Sequence, residues 1–262
     1  MTDHRISISL LLPTRGRRAL VERLFDSIVA TTANLKELEV VMYIDEDDLP
    51  THQIAHPLLS LVKLIKPPGQ KMGRMNQLCY ETSCGRYVML MNDDVVFRTK
   101  AWDVLVLENF ARFDDDIALV YGNDLHQGEA LATLPIVSRA VCDVMGGICP
   151  GDYLNLYIDL HLFDVFRSLA KLGYPRTVYL GHVIFEHMHY ETGKSTMDVT
   201  YAKRNERADD LLFINLADER RTQARMLKRY IDARRDGAMS VTTNDGVGSM
   251  LRSMLSYIKS RT

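Results

Sequence analysis

The residues best placed to do chemistry are Asp93 and Asp94. They close the apolar run Tyr87-Val88-Met89-Leu90-Met91, follow Asn92, and are followed by Val95-Val96-Phe97. Two adjacent carboxylates at the end of a buried strand are costly unless something positive sits on them. A divalent cation carrying a diphosphate is an economical partner, because hard oxygen ligands suit Mg2+ or Mn2+. The plainer alternative is an Asp pair that caps a turn or the next helix. The strand context favours the metal and points toward a nucleotide-diphosphate substrate.

Other polar residues bear on the same chemistry. Asp45 ends a second apolar run, where a carboxylate can accept the imide hydrogen of uracil or an amino group of another base. Asp47 and Asp48 read as loop acids or a helix cap. Arg15, Arg17, Lys71 and Arg74 are candidate partners for phosphate or base, since arginine at a strand-to-helix turn can fork two phosphate oxygens. Asp159 opens an apolar-periodic helix and is either an N-cap or a general base toward an acceptor hydroxyl. Asp152 and Asp164 are weaker rivals for that role. His187 and His189 alternate, so on a strand both imidazoles share a face, and a neutral imidazole suits Mn2+. His182 is less persuasive. Lys194 follows Gly193, but its neighbours form no phosphate-binding P-loop.

These residues need elements to hold them. Ile6 to Leu12 reads as a strand running into the turn Pro13-Thr14-Arg15-Gly16-Arg17. Leu20, Leu24, Ile28 and Val29 recur at helical spacing over 18–31. Leu38 to Ile44 and Leu61 to Ile65 read as strands, the latter stopped by Pro67-Pro68-Gly69. Residues 71–83 read as a helix ended by Gly85, and Tyr87 to Met91 as a fourth strand. This alternation argues for a largely parallel sheet covered by helices, whose ligands bind at the carboxyl ends of the strands. Thr14/Arg15, Asp45 and Asp93/Asp94 all fall at such ends. Further on, Ile117 to Tyr121 reads as a strand, and residues 133–145 pass from strand into helix before Gly146-Gly147. Ile158 to Leu172 reads as a helix and Val178 to Phe185 as a last strand. From Thr196 the pattern is helical and polar. Its run of Arg220, Arg221, Arg225, Lys228, Arg229, Arg234 and Arg235 fits either a helix docked on the core with a solvated basic face or a surface for nucleic acid or anionic membrane.

The chain has 262 residues, 47% hydrophobic and 25% charged, with a net charge of -2. That composition suits one sizeable core and argues against polyanion binding by bulk charge. No apolar run approaches a membrane span, and the N-terminus lacks a signal-peptide pattern. Cys79, Cys84, Cys142 and Cys149 match no zinc or redox spacing and read as free thiols in a reducing cytoplasm.

With those residues set out, the chain resembles family 2 glycosyltransferases over approximately residues 6–190. The run from Ser9 to Arg17 resembles the family's first strand and nucleotide loop, and Asp45 its base-contacting acid. Arg74-Met75-Asn76-Gln77 and Gly85-Arg86-Tyr87-Val88 resemble the helix and strand before its metal motif. Asn92-Asp93-Asp94 stands where the family carries a DXD-type motif, with Asn92 in place of the leading acid. Gly146-Gly147 followed by Ile158-Asp159 resembles the family's Gly-Gly and Glu-Asp segments, with Ile158 in place of Glu.

The resemblance implies a GT-A fold: an α/β, mostly parallel, Rossmann-like central sheet flanked by helices. It implies Mn2+ or Mg2+ held by Asp94 with His187 or His189. It places the nucleotide against Pro13, Thr14, Arg15, Arg17, Asp45, Lys71, Arg74 and Asp93. Asn92, Asp124, Gly146 and Gly147 fall on the sugar and acceptor side, and Asp159 is the implied base of an inverting transfer. A transferase domain over 1–195 is expected, divided into a nucleotide-binding half, 1–98, and an acceptor-side half, 99–195. A helical basic extension over 196–262 follows. The implied donor is a nucleotide-sugar, with UDP-sugar favoured by Asp45. The acceptor is a glycan, a lipid-linked glycan or a modified base in DNA. Two competing functions are a nucleotidyltransferase, disfavoured by a glycine-poor first turn, and a non-catalytic glycan- or nucleic-acid-binding module on a degenerate scaffold. A dinucleotide-binding dehydrogenase is disfavoured because no G-x-G-x-x-G follows the first strand.

Overall fold

The computed structural model describes residues 6–188, 193–194 and 206–237. Its strands are β1 (Ile8–Thr14), β2 (Leu38–Asp45), β3 (Ser60–Lys66), β4 (Tyr87–Leu90), β5 (Val95–Phe97), β6 (Leu119–Asn123), β7 (Ile136–Ser138) and β8 (Thr177–His187). The helices are α1 (Arg18–Thr31), α2 (Leu49–His52), α3 (Met72–Thr82), α4 (Trp102–Phe110), α5 (Arg139–Met145), α6 (Ile158–Lys171), α7 (Glu206–Asn215) and α8 (Ala217–Arg235). The strands form one sheet in the order β3-β2-β1-β4-β7-β6-β8-β5. The β3-β2-β1-β4 half is parallel throughout. Beyond β4 the sheet is mixed: β7 runs antiparallel to β4 and β6, β8 parallel to β6, and β5 antiparallel to β8.

Alternation along the strands feeds two cores. Ile8, Leu10 and Leu12 of β1 join Leu38, Val40, Met42 and Ile44 of β2 under α1 and α4. Leu11, Val41 and Tyr43 point the other way, into a core with α3, α5, α6 and α8. Period-two side chains make one strand serve both layers. The apolar stripe of α1 consists of Val21, Leu24, Phe25 and Ile28, all buried, which matches helical spacing. Gly16 supplies a left-handed turn, φ +67, between β1 and α1.

Three elements were not read from the sequence, among them the one-turn helix Leu49–His52. Val95–Phe97 is a strand, too short to show a period, and Trp102–Phe110 is a helix whose apolar residues form no clear stripe. The stop at Gly85 also has a different cause. Helix α3 already ends at Thr82, with Ser83 as its extended C-cap. Gly85 instead lies against β1, where a Cβ would run into Ser9 Oγ and the Ile8–Ser9 backbone. Its amide donates to Ser9 Oγ at 2.8 Å, and Ser9 Oγ donates to Glu39 Oε1 at 2.5 Å.

The last described helix belongs to the second core. Ala224, Leu227 and Ile231 of α8 are buried among residues of α5 and α6. Arg220 is 4% exposed and bonds to Asp164 Oδ2 at 2.7 Å and to the Phe213 carbonyl at 2.6 Å. Arg221, Arg225 and Arg229 remain exposed on the outer face.

Two stability outcomes follow from this packing. Gly85→Ala should cost about 1–3 kcal/mol, the usual range for overpacking. Leu227→Ala should cost about 2–5 kcal/mol in one cooperative transition, as expected for truncation in a shared core. Urea unfolding followed by circular dichroism reads both. A Leu227→Ala protein of unchanged midpoint would show that α8 contributes nothing to that core.

Candidate functional site

The carboxyl ends of β1, β2 and β4 meet at one rim. Thr14 Oγ1 donates to Asp93 Oδ2 at 2.8 Å, and Arg17 Nη1 donates to Asp93 Oδ1 at 2.8 Å. Asp93 and Asp94 are 6% and 3% exposed. Burial holds the Asp93 carboxyl above the usual carboxylate range; the Arg17 charge opposes this and the Asp94 charge adds to it. Asn92, beside them, is exposed.

Arg15 joins the first two loops. It bonds to Asp45 Oδ2 and forks Asp47 at 2.6 and 2.7 Å. These contacts, Asp47 first, raise the guanidinium pKa, and the same fork lowers that of Asp47. The Gly16 amide donates to Asp48 Oδ2 at 2.7 Å, which ties the β1–α1 turn to the start of α2. Asp45 is 4% exposed, and its Oδ1 is buried with no hydrogen-bond partner among the described residues. Asp47 and Asp48 are therefore structural partners of the turn. The sequence signal for them was only their nearness to Asp45.

The far half of the sheet brings up the other residues. A register shift after Gly122 moves the β8 partner from Leu180 to Ile184, and beyond it β8 also pairs with β5, so that Val95 lies opposite His187. His187 Nε2 then faces Asp94 Oδ1 at 3.1 Å. The Met188 amide donates to the Asp94 carbonyl at 2.8 Å, and the His187 amide to the Asp124 carbonyl at 2.9 Å. His182 is exposed. His189 lies outside the described residues. Lys194 Nζ pairs with Glu186 Oε1 at 2.8 Å.

Asp124 is 1% exposed and spends its carboxylate locally. Oδ1 accepts the amides of His126, Gln127 and Gly128 at 2.8 to 3.0 Å, and Oδ2 accepts Thr133 Oγ1 at 2.9 Å. Asp159 is the second residue of α6, and its Oδ1 accepts the Leu160 amide at 2.8 Å. Burial pushes its carboxyl up to about 6; hydrogen bonds from the Leu160 and Asp159 backbone oppose this, as does the charge of His187, while Asp124 adds to it. Asp159 feels the charge of His187, whereas its two rivals are each paired with a base. Asp152 pairs with Lys71 Nζ at 2.6 Å, and Asp164 pairs with Arg220 at 2.7 Å.

Arg74, Gly146 and Gly147 collect elsewhere. Together with Gln77, Glu81 and Glu219 they line a groove of about 330 Å³ between α3, the turn after α5 and α8. Arg74 Nη1 bonds to Glu81 Oε1 at 3.1 Å. Gly146 caps α5 in the left-handed region, φ +87. Gly147 lies so close to Gln77 that a Cβ there would meet its amide.

The donor set suits a hard divalent ion. Two cis ligands at the Mg2+–oxygen distance lie about 3 Å apart, and Asp94 Oδ1 and His187 Nε2 are 3.1 Å apart. Among the described residues no group of three or more His, Cys, Asp or Glu side chains stands together as a metal cage. Mg2+ usually takes one or two carboxylates and leaves the rest to water and phosphate; here Asp94 supplies a carboxylate and His187 an imidazole.

No family model matches the sequence, and no curated protein matches it. Solved structures do resemble the fold. A mannosyltransferase from Pyrobaculum calidifontis, in complex with GDP-Man and Mn2+, matches with a TM-score of 0.56 at 14% identity over 97% of this chain and 81% of that one. TarS 1–349 from S. aureus with UDP gives 0.52 at 15% identity over 69% and 59%. Glucosyl-3-phosphoglycerate synthase from Mycobacterium tuberculosis, with Mg2+ and UDP, gives 0.52 at 14% identity over 78% and 76%. At these identities the likeness is one of fold, and the chain has the GT-A fold of nucleotide-sugar glycosyltransferases. No helix among the described residues is long and apolar enough to cross a membrane.

Asp159 makes a pH-dependent prediction. Burial pushes its carboxyl up to about 6 in the folded protein, above the ordinary aspartate value of 3.8, so folding holds a proton that the unfolded chain has released. The group's stabilising contribution is present below pH 4 and is lost as pH rises through about 6. In the metal-free protein, Asp159→Asn should leave Tm near wild type at pH 4 and raise it at pH 7.5. Scanning calorimetry at the two pH values checks this, and equal shifts at both would discard the ionisation argument.

Proposed function

We propose that this protein is a metal-dependent glycosyltransferase that moves a sugar from a nucleotide-sugar, with UDP-sugar favoured, to an acceptor hydroxyl with inversion. The observation that carries this reading is the meeting of Asp94 with His187 at the rim where Asp93 is held by Thr14 and Arg17. The GDP-Man and UDP complexes of proteins with the same fold support a nucleoside diphosphate as leaving group.

On this reading Asp94 and His187 hold Mn2+ or Mg2+, which when bound neutralises charge on the diphosphate. Pro13, Thr14, Arg15, Arg17, Asp45 and Asp93 form the nucleotide side. The buried Asp45 Oδ1 is an acceptor that an imide or amino hydrogen of the base would satisfy. Asp159 takes the acceptor's proton as its oxygen bonds to the anomeric carbon and the carbon–oxygen bond to the diphosphate breaks. Ionised above about pH 6, it is a competent base at neutral pH. Lys71 and Arg74 are held by Asp152 and Glu81 and would have to leave those acids to reach a phosphate. Asn92 and the 122–158 segment, with Gly146 and Gly147, belong to the sugar and acceptor side, Asp124 as a scaffold rather than a direct contact. A glycan or lipid-linked glycan is the acceptor class we favour over modified DNA. Three buried free cysteines fit a reducing cytoplasmic setting.

The test is a thermal-shift and calorimetric panel of UDP, GDP and their sugars, with Mn2+ or with EDTA. Metal-dependent stabilisation by one nucleotide class is expected. Asp94→Ala should abolish that dependence. Asp159→Asn should keep donor affinity and lose turnover by about a hundredfold or more, the usual scale of general-base loss. Unchanged UDP affinity with Mn2+ in Asp94→Ala would refute the metal assignment. No shift with any nucleotide would favour a binding module on this scaffold.

A further inference from the structure

The loop that delivers Asp159 is gripped by the C-terminal helices. Asp209 of α7 is 1% exposed and accepts three consecutive backbone amides. Leu154 donates to its Oδ1 at 2.8 Å, and Asn155 and Leu156 donate to its Oδ2 at 2.9 Å each. The next residue, Tyr157, is the N-cap of α6 with φ +68, a left-handed conformation costly for a side chain of its size. Tyr157 is held by the same helix: its hydroxyl donates to Asp210 Oδ1 at 2.5 Å, and its ring stacks on Phe213 at 5.1 Å. The opposite edge of the loop is fixed by α3, because the Met72 amide donates to the Leu154 carbonyl at 3.1 Å and the Gly73 amide to the Tyr153 carbonyl at 2.9 Å.

Every link from Asp209 to Asp159 is thus covalent or hydrogen-bonded. Three amides fix residues 154–156, the strained Tyr157 turn sets the direction of α6, and Asp159 stands two residues further on. We propose that Asp209 is a positioning residue for Asp159: the carboxylate of α7 holds the turn that aims the candidate base into the site. This inference rests on the reading of Asp159 as the base. It makes α7 part of the transfer machinery without any contact between α7 and the reacting atoms. Asp209 gives no sequence signal, since it sits in an Asp-Asp pair on a polar helix more than fifty residues from the loop it holds.

The Leu160 amide donates to Asp159 Oδ1. As an early helix amide it has no carbonyl one turn back within α6 to take its place. Its hydrogen exchange therefore reports the Asp159 side chain directly. Wild type, Asp209→Ala, Asp209→Asn and Asp159→Asn would be compared by residue-resolved exchange, by calorimetric affinity for UDP with Mn2+, and by UDP release from UDP-glucose into water. In Asp209→Ala, protection should fall about tenfold or more at Leu154, Asn155, Leu156 and Leu160. UDP affinity should stay within about twofold while UDP release falls toward that of Asp159→Asn. Asp209→Asn keeps one acceptor oxygen and should be intermediate, and it carries the comparison if the alanine variant does not fold. Loss of protection at 154–156 with Leu160 and UDP release unchanged would overturn the proposal. So would a parallel loss of UDP affinity and of global stability. If Asp159→Asn releases UDP as fast as wild type, the base assignment fails; in that case, or if UDP-glucose is no donor for wild type, the Leu160 exchange still decides whether Asp209 positions Asp159.

Discussion

Asp93 and Asp94 are adjacent, buried and alike in charge, and each is answered from a different direction. Thr14 and Arg17 reach Asp93 from the end of β1. His187 reaches Asp94 from the end of β8, at the other side of the sheet. Burying two carboxylates together is unfavourable unless each is compensated. The two halves of the fold meet where that compensation is needed. The parallel half supplies the first partner and the mixed half supplies the second.

The mixed half meets this requirement through one irregularity. Strand β8 first follows β6 in parallel, then slips register and pairs antiparallel with β5. Gly122 permits the slip, since a Cβ there would strike the Val183 carbonyl and the Phe185 ring. Bulges of this kind re-aim side chains beside functional sites. Without the slip His187 would not lie beside the strand that follows Asp94.

Much of the parallel half was legible in the sequence because its signals are local. The run ending at Asp45, the stripe of α1 and the apolar segment before Asp93 each announce their element within a dozen residues. Strand β5 and helix α4 escaped because three residues show no period and Trp102–Phe110 is apolar on more than one face. Asp45, Asp93 and Asp94 could be named from strand-end position alone. The partnership of His187 with Asp94 could not, since it depends on pairing with a strand that was not read. Gly85 was read as a helix stop, whereas its small size serves contact with Ser9, a residue far off in the chain. The Lys71–Asp152 pair was equally invisible, because it joins the start of α3 to a loop about eighty residues further on.

The burial of Ala224, Leu227 and Ile231 against α5 and α6 has a consequence during synthesis. The sheet and α6 leave the ribosome before the helix that completes one of their two cores. Until α8 emerges, apolar surface on α5 and α6 faces water, and in that interval the nascent chain presents what chaperones recognise and what other chains aggregate upon. A lesion that ends translation shortly before α8 would therefore leave a sheet with all eight described strands present and one face still uncovered.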